Sequence, residues 1–128
     1  PTYLREACRV VKPGGKLCTV TDSAEIIRNR QPLSNYFPET VAVELQRYPA
    51  IADLRAMLKD AGFSDIQEAT AEFVFALTDI QPYQNKAYSC LHLIAADAFA
   101  RGIQRMEADL QMGPIPAIVR YLLVWATK

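Results

Sequence analysis

The closing segment of the chain limits its architecture most. Residues 117–127 are apolar almost throughout, with Ile118, Val119, Tyr121, Leu122, Leu123, Val124 and Trp125 in near-continuous succession. The run is short and rich in β-branched and aromatic side chains, which predicts a strand. A strand with one face in water alternates apolar and polar residues, and this one does not. It therefore reads as a strand buried on both faces in the middle of a sheet, and a central strand needs a neighbour on each side.

Two earlier segments also read as strands. Lys16-Leu17-Cys18-Thr19-Val20-Thr21 is short and rich in β-branched residues, and reads as a strand. Residues 63–77 read as another, with the alternation clearest from Ala71 onward. A helix is expected over residues 2–11, where Leu4, Ala7, Cys8 and Val11 recur at helical spacing. Pro13 cannot continue that helix, and Gly14-Gly15 supplies a reversal into the first strand. Asp22 and Ser23 offer a cap for a short helix over residues 24–30. Residues 31–49, with three prolines and three aromatics, read as irregular, with room for one helical turn around Asn35 to Phe37. An amphipathic helix follows over residues 50–61, its stripe made by Ile51, Leu54, Met57, Leu58 and Ala61 and its stop by Gly62.

Residues 78–113 are too long for a hairpin loop and form a helical insert before the last strand. Within it residues 82–93 are moderately helical. Residues 95–111 are strongly so, with Ala98, Phe99, Gly102, Ile103, Met106 and Leu110 on one face.

Three landmarks stand in order: Arg9-Val-Val-Lys-Pro-Gly-Gly15 followed at once by a strand; Leu54-Arg-Ala-Met-Leu-Lys-Asp-Ala-Gly-Phe63, a helix running into a strand; and the terminal apolar strand. Together they resemble the carboxy-terminal half of class I S-adenosylmethionine-dependent methyltransferases. There, a similar K-P-G-G turn precedes the fifth strand, an A-G-F ending leads into the sixth, and the seventh inserts antiparallel between them. The resemblance covers essentially the whole chain, with Val11 where leucine is commoner. It implies an α/β, Rossmann-like partial fold: a three-stranded mixed sheet in the order five, seven, six, with helices on both faces, in one domain over residues 1–128. The family's G-x-G-x-G cofactor loop and its ribose-holding acidic residue have no equivalent here. Gly14-Gly15 precedes a strand instead of following one. S-adenosylmethionine is thus the cofactor of the complete family fold, and no residue of this chain is expected to bind it tightly.

Composition bears on the substrate. Fourteen basic and fourteen acidic side chains cancel. A protein that grips phosphates usually carries a basic excess, so a small-molecule acceptor is favoured over nucleic acid. Cys8, Cys18 and Cys90 are an odd, scattered set and read as reduced thiols of a cytoplasmic protein. With His92 the only histidine, no metal site is expected. No apolar run reaches membrane-spanning length.

In open α/β sheets ligands lie beyond the carboxyl ends of the parallel strands. This makes Asp22 and Ser23 the first substrate-binding candidates, the alternative being that they only cap a helix. Asn35, Tyr36 and Phe37 follow, as a polar contact and an aromatic wall or else as filling beneath a proline-rich loop. The insert adds Tyr83 and Tyr88, beside Asn85, Cys90 and His92. On a helix Tyr88 and His92 would share a face, and an imidazole could serve as general base; His92 is the one catalytic candidate, against a purely structural hydrogen bond. Methyl transfer needs mostly positioning, so no catalytic constellation announces it.

The expected function is a segment of a methyltransferase, inactive by itself; the alternative is a non-catalytic remnant or split-enzyme half acting as an association module. In the complete fold the fifth strand is interior. Here Leu17, Cys18, Thr19, Val20 and Thr21 would form an exposed edge, so self-association or docking onto a missing sheet half is expected through it. The opening at Pro1, inside a helix, suggests a piece of a longer protein or a truncated reading frame.

Overall fold

The computed structural model describes residues Pro1–Lys128. Helix α1 (Thr2–Val10) leads through a turn into strand β1 (Lys16–Thr21). Gly14 holds φ +77° in that turn, a conformation open to glycine at little cost. Its N–H donates to the Lys128 carbonyl at 2.8 Å, tying the turn to the far end of the chain. Then come α2 (Ala24–Arg28), α3 (Leu33–Tyr36), α4 (Glu39–Arg47), α5 (Ile51–Asp60), β2 (Ser64–Leu77) and α6 (Gln81–Gln84). A 3-10 turn (Ser89–His92), α7 (Ala96–Met112) and β3 (Ile115–Thr127) complete the chain.

The three strands form one sheet in the order β1-β3-β2, with β3 antiparallel to both neighbours. Leu123 lies opposite Val20 on one side and Ala69 on the other. The last strand is therefore central, as its apolar run led one to expect, and reversed, as the resemblance implied. The expected mixed sheet needs correction. β1 and β2 share a direction but never adjoin, so every hydrogen-bonded pair is antiparallel.

Alternation along β3 divides the sheet into two faces. One bears Leu122, Val124 and Ala126, which pack with Leu4 and Cys8 of α1, Ile26 of α2, Leu54 and Leu58 of α5, and Phe63. The opposite face carries Lys16, Cys18 and Val20 of β1, Trp125, Leu123, Tyr121 and Val119 of β3, and Gln67, Ala69, Ala71 and Phe73 of β2, with Lys16 the one charged side chain among them. A second core, built from Leu33, Tyr36, Phe37, Ile80, Tyr83, Cys90, Leu91 and Met106, includes only the Ile115 end of β3. Elsewhere that face is bare: Val20 is 61%, Phe73 66%, Tyr121 48% and Trp125 40% exposed. The reading of β3 as buried on both faces is corrected accordingly. So is the expectation of helices over both faces, since the second is covered only at one end.

Two helical expectations also change. Residues 31–49 contain α4, a nine-residue helix, as well as the short α3. The helix α4 hides Thr40 and Glu44 instead of an apolar stripe, so hydrophobic periodicity gave no sign of it. The single helix expected over 82–93 is broken into α6 and the 3-10 turn, with Lys86 at φ +51° between them. By contrast α7 buries Ala98, Gly102 and Met106, and packs Phe99, Ile103 and Leu110 against the second core.

Candidate functional site

Past Thr21 the chain leaves the sheet for α2 and returns at Gln31, whose carbonyl accepts the Ile118 N–H at 2.9 Å. The detour leaves a cleft of about 240 Å³ at the carboxyl end of β1. Asp22, Arg30 and Gln31 line it from the detour, and Glu44 and Tyr48 from α4 and its end. Tyr83, Tyr88 and Cys90 come from the segment before α7, and Ile118 to Tyr121 from β3.

An ionic network forms the polar side of the cleft. Asp22 is 4% exposed and Glu44 4%. Charges this buried must be paired. Arg30 is the shared partner: it donates from Nη2 to Asp22 Oδ2 and from Nη1 to Glu44 Oε2, the latter at 3.0 Å. Arg47 donates to the other Glu44 oxygen at 2.8 Å and to Ser89 Oγ at 3.0 Å, tying α4 to the 3-10 turn. The Arg30 guanidinium also lies 5.8 Å from the Tyr48 ring centroid. Burial works against its charge, but the bonds to Glu44 and Asp22 more than offset this and raise its pKa, so Arg30 is a fixed cation. Asp22 Oδ1 alone meets no donor of the protein.

Cys90 sits beside this network. Burial first, then the Glu44 carboxylate, push its thiol above the ordinary value. A protonated thiol is a poor nucleophile, so Cys90 serves as packing here. Tyr83 is likewise raised, by burial and then by the Tyr88 hydroxyl next to it, and the two rings lie 5.0 Å apart.

The structure brings three of the expected substrate-binding residues to this cleft: Asp22, Tyr83 and Tyr88. Ser23 acts as the cap of α2, its Oγ accepting the Ile26 N–H at 3.1 Å. Tyr36 and Phe37 belong to the second core, where Phe37 is fully buried and stacks on Tyr83 and Phe99 at centroid distances of 6.3 and 5.9 Å. Tyr36 donates its hydroxyl to Asp109 at 2.6 Å. Asn35 is exposed, and its carbonyl accepts from Arg105. His92 is exposed on the 3-10 turn, with Nε2 at 2.9 Å from the Lys86 carbonyl, and does not line the cleft. Asn85 is exposed beside α6.

Sequence reasoning missed Arg30, Glu44 and Tyr48. Fourteen positions separate Arg30 from Glu44, with α3 between them, and no local pattern links two charges that meet only in the folded chain. The signal that was present is negative: polar Thr40 and Glu44 occupy one face of α4, where an apolar stripe would be normal. No three His, Cys, Asp or Glu side chains converge in a way that could hold a metal ion. No helix is long and apolar enough to cross a membrane. No protein-family model and no curated protein matches the chain.

Proposed function

We propose that this chain is the part of a class I S-adenosylmethionine-dependent methyltransferase that spans its fifth to seventh strands, and that the cleft beside Asp22 receives a small-molecule methyl acceptor. The observation that carries the reading is the strand order: a reversed last strand between two strands that share a direction, entered through the K-P-G-G and A-G-F junctions. The unpaired outer edge of β1 is what such a part would present to the rest of its sheet. The cleft lies beyond the carboxyl end of β1, where ligands of α/β sheets sit. Its volume is just under the range of roughly 300–1,000 Å³ typical of small-molecule sites, and the balanced net charge argues against a phosphate-rich acceptor.

The residues of this chain do not fit the cofactor. The amides of Gly14 and Gly15 already donate to the carbonyls of Lys128 and Lys12, each at 2.8 Å, so they form no free cradle for an anion. No acidic residue stands where the family holds the ribose. The proposal therefore assigns to this chain the acceptor side: Asp22 and the tyrosines orient the substrate, and the walls of the cleft exclude water.

The test is to read the coding sequence upstream of Pro1 and express the protein it encodes. A continuous frame with a G-x-G-x-G loop, and stoichiometric S-adenosylmethionine binding by calorimetry that the 128-residue chain lacks, is the expected result. Tight binding by the 128 residues alone would overturn it. The bare apolar face also favours a second reading, a non-catalytic association module. A frame that closes just upstream of Pro1 selects it.

A further inference from the structure

We propose that the cleft beside Asp22 binds a small molecule carrying a protonated amine, with Asp22 Oδ1 accepting its N–H and the rings of Tyr83 and Tyr88 facing its cation. Three observations lead there. First, Asp22 lines the cleft and is almost fully buried, yet Oδ1 meets no donor of the protein. Buried carboxylate oxygens are seldom left bare, because the lost hydration is not replaced. Oδ1 is closed to bulk water, so seating a donor on it requires the cleft's side chains to adjust. Among them Tyr88 is the most open, 42% exposed beside the Tyr83 ring.

Second, Asp22 has no cation of its own and shares Arg30 with Glu44. The side chains of Asp22, Glu44 and Arg30 are 5%, 6% and 19% exposed and together carry one negative charge. Arg47, 42% exposed, balances the set by pairing with Glu44 Oε1 at 2.8 Å, so Asp22 is left to share Arg30. Arg120 also lines the cleft but is already paired with Glu72 at 2.6 Å. A cation fits this interior, and an anion is opposed by two carboxylates. A neutral alcohol would satisfy Oδ1 without placing a second cation beside Asp22. Third, the Tyr83–Tyr88 pair lines the cleft and presents aromatic surface, which attracts ammonium groups.

The ligand's role as a methyl acceptor rests on the function proposed above; its binding does not. The test uses the 128-residue chain, labelled with nitrogen-15, titrated at neutral pH with 2-phenylethylamine and with 2-phenylethanol in the absence of S-adenosylmethionine. The amine is expected to give saturable shifts centred on Asp22, Tyr88 and Cys90, with an affinity about fivefold or more above that of the alcohol. Asp22→Asn should lower the amine to the alcohol's level. Tyr88→Leu, at an exposed position that leaves the fold intact, should weaken the amine about threefold and keeps the question open to test if the Asp22 variant does not fold. The inference is overturned if the alcohol matches the amine, if the shifts map to Val20, Trp125 and Phe73 instead of the cleft, or if both variants retain wild-type affinity. Those outcomes leave the methyl-transfer reading intact, while a longer protein without affinity for S-adenosylmethionine overturns only that reading.

Discussion

At the scale of single residues, the second core and the ionic network respond to change for different reasons. A Cβ added at Gly102 would stand 2.2 Å from the Phe37 ring and 2.8 Å from the Tyr36 carbonyl. Phe37 is fully buried between Tyr83 and Phe99 and has nowhere to go. Gly102→Ala should therefore destabilise by about 1–3 kcal/mol, read as a lower urea midpoint with an unchanged slope. Arg30→Met removes the one cation shared by two buried carboxylates, and should cost about 3–5 kcal/mol in the same measurement. Tyr36 gives a pH signature. Burial, then its bond to Asp109, hold its hydroxyl pKa up at about 12 against an ordinary value of 10.0. The unfolded chain thus loses this proton first as pH rises. The stabilisation is complete below about pH 10 and disappears towards pH 12, as the folded form also ionises. Melting temperature against pH should fall across that window, and more gently in Tyr36→Phe, which cannot ionise.

At the scale of elements, β1 and the open face of the sheet decide how the molecule behaves in solution. β1 is an edge strand with unpaired backbone groups on its outer side, and Val20, Tyr121, Trp125 and Phe73 form an exposed apolar band across three strands. Such a surface is uncommon on a protein that works alone. Sedimentation velocity of this chain should show mass above the monomer, growing with concentration. Replacing Val20 and Phe73 together by lysine should shift it to monomer and reduce binding of an apolar dye. A strictly monomeric wild-type chain at high concentration would count against association through this face. The same elements show what local sequence conveys. The helices α1, α5 and α7 carry apolar stripes and end at Pro or Gly, and all three are legible in the sequence within a residue or two. In α4 the buried side includes a charge whose partner is distant in sequence, so the usual period is missing.

At the scale of the whole molecule, the arrangement joins a well-packed face, a bare face and a cleft between β1 and the segment preceding α7. The sequence by itself determined three strands and, from its apolar run, a central place for the last; the order β1-β3-β2 was what the family resemblance implied. It also pointed to Asp22, Tyr83 and Tyr88, since position in an α/β layout and residue type both come from local patterns. Only the tertiary structure decided that β3 is covered on one side, that Tyr36 and Phe37 are core, and that Arg30 and Glu44 converge on Asp22. The reason is physical. Apolar periodicity records whether a side chain must leave water, which is a property of each segment. The partner of a buried charge, and the layer that covers an apolar face, are fixed only by which distant segments the fold brings together.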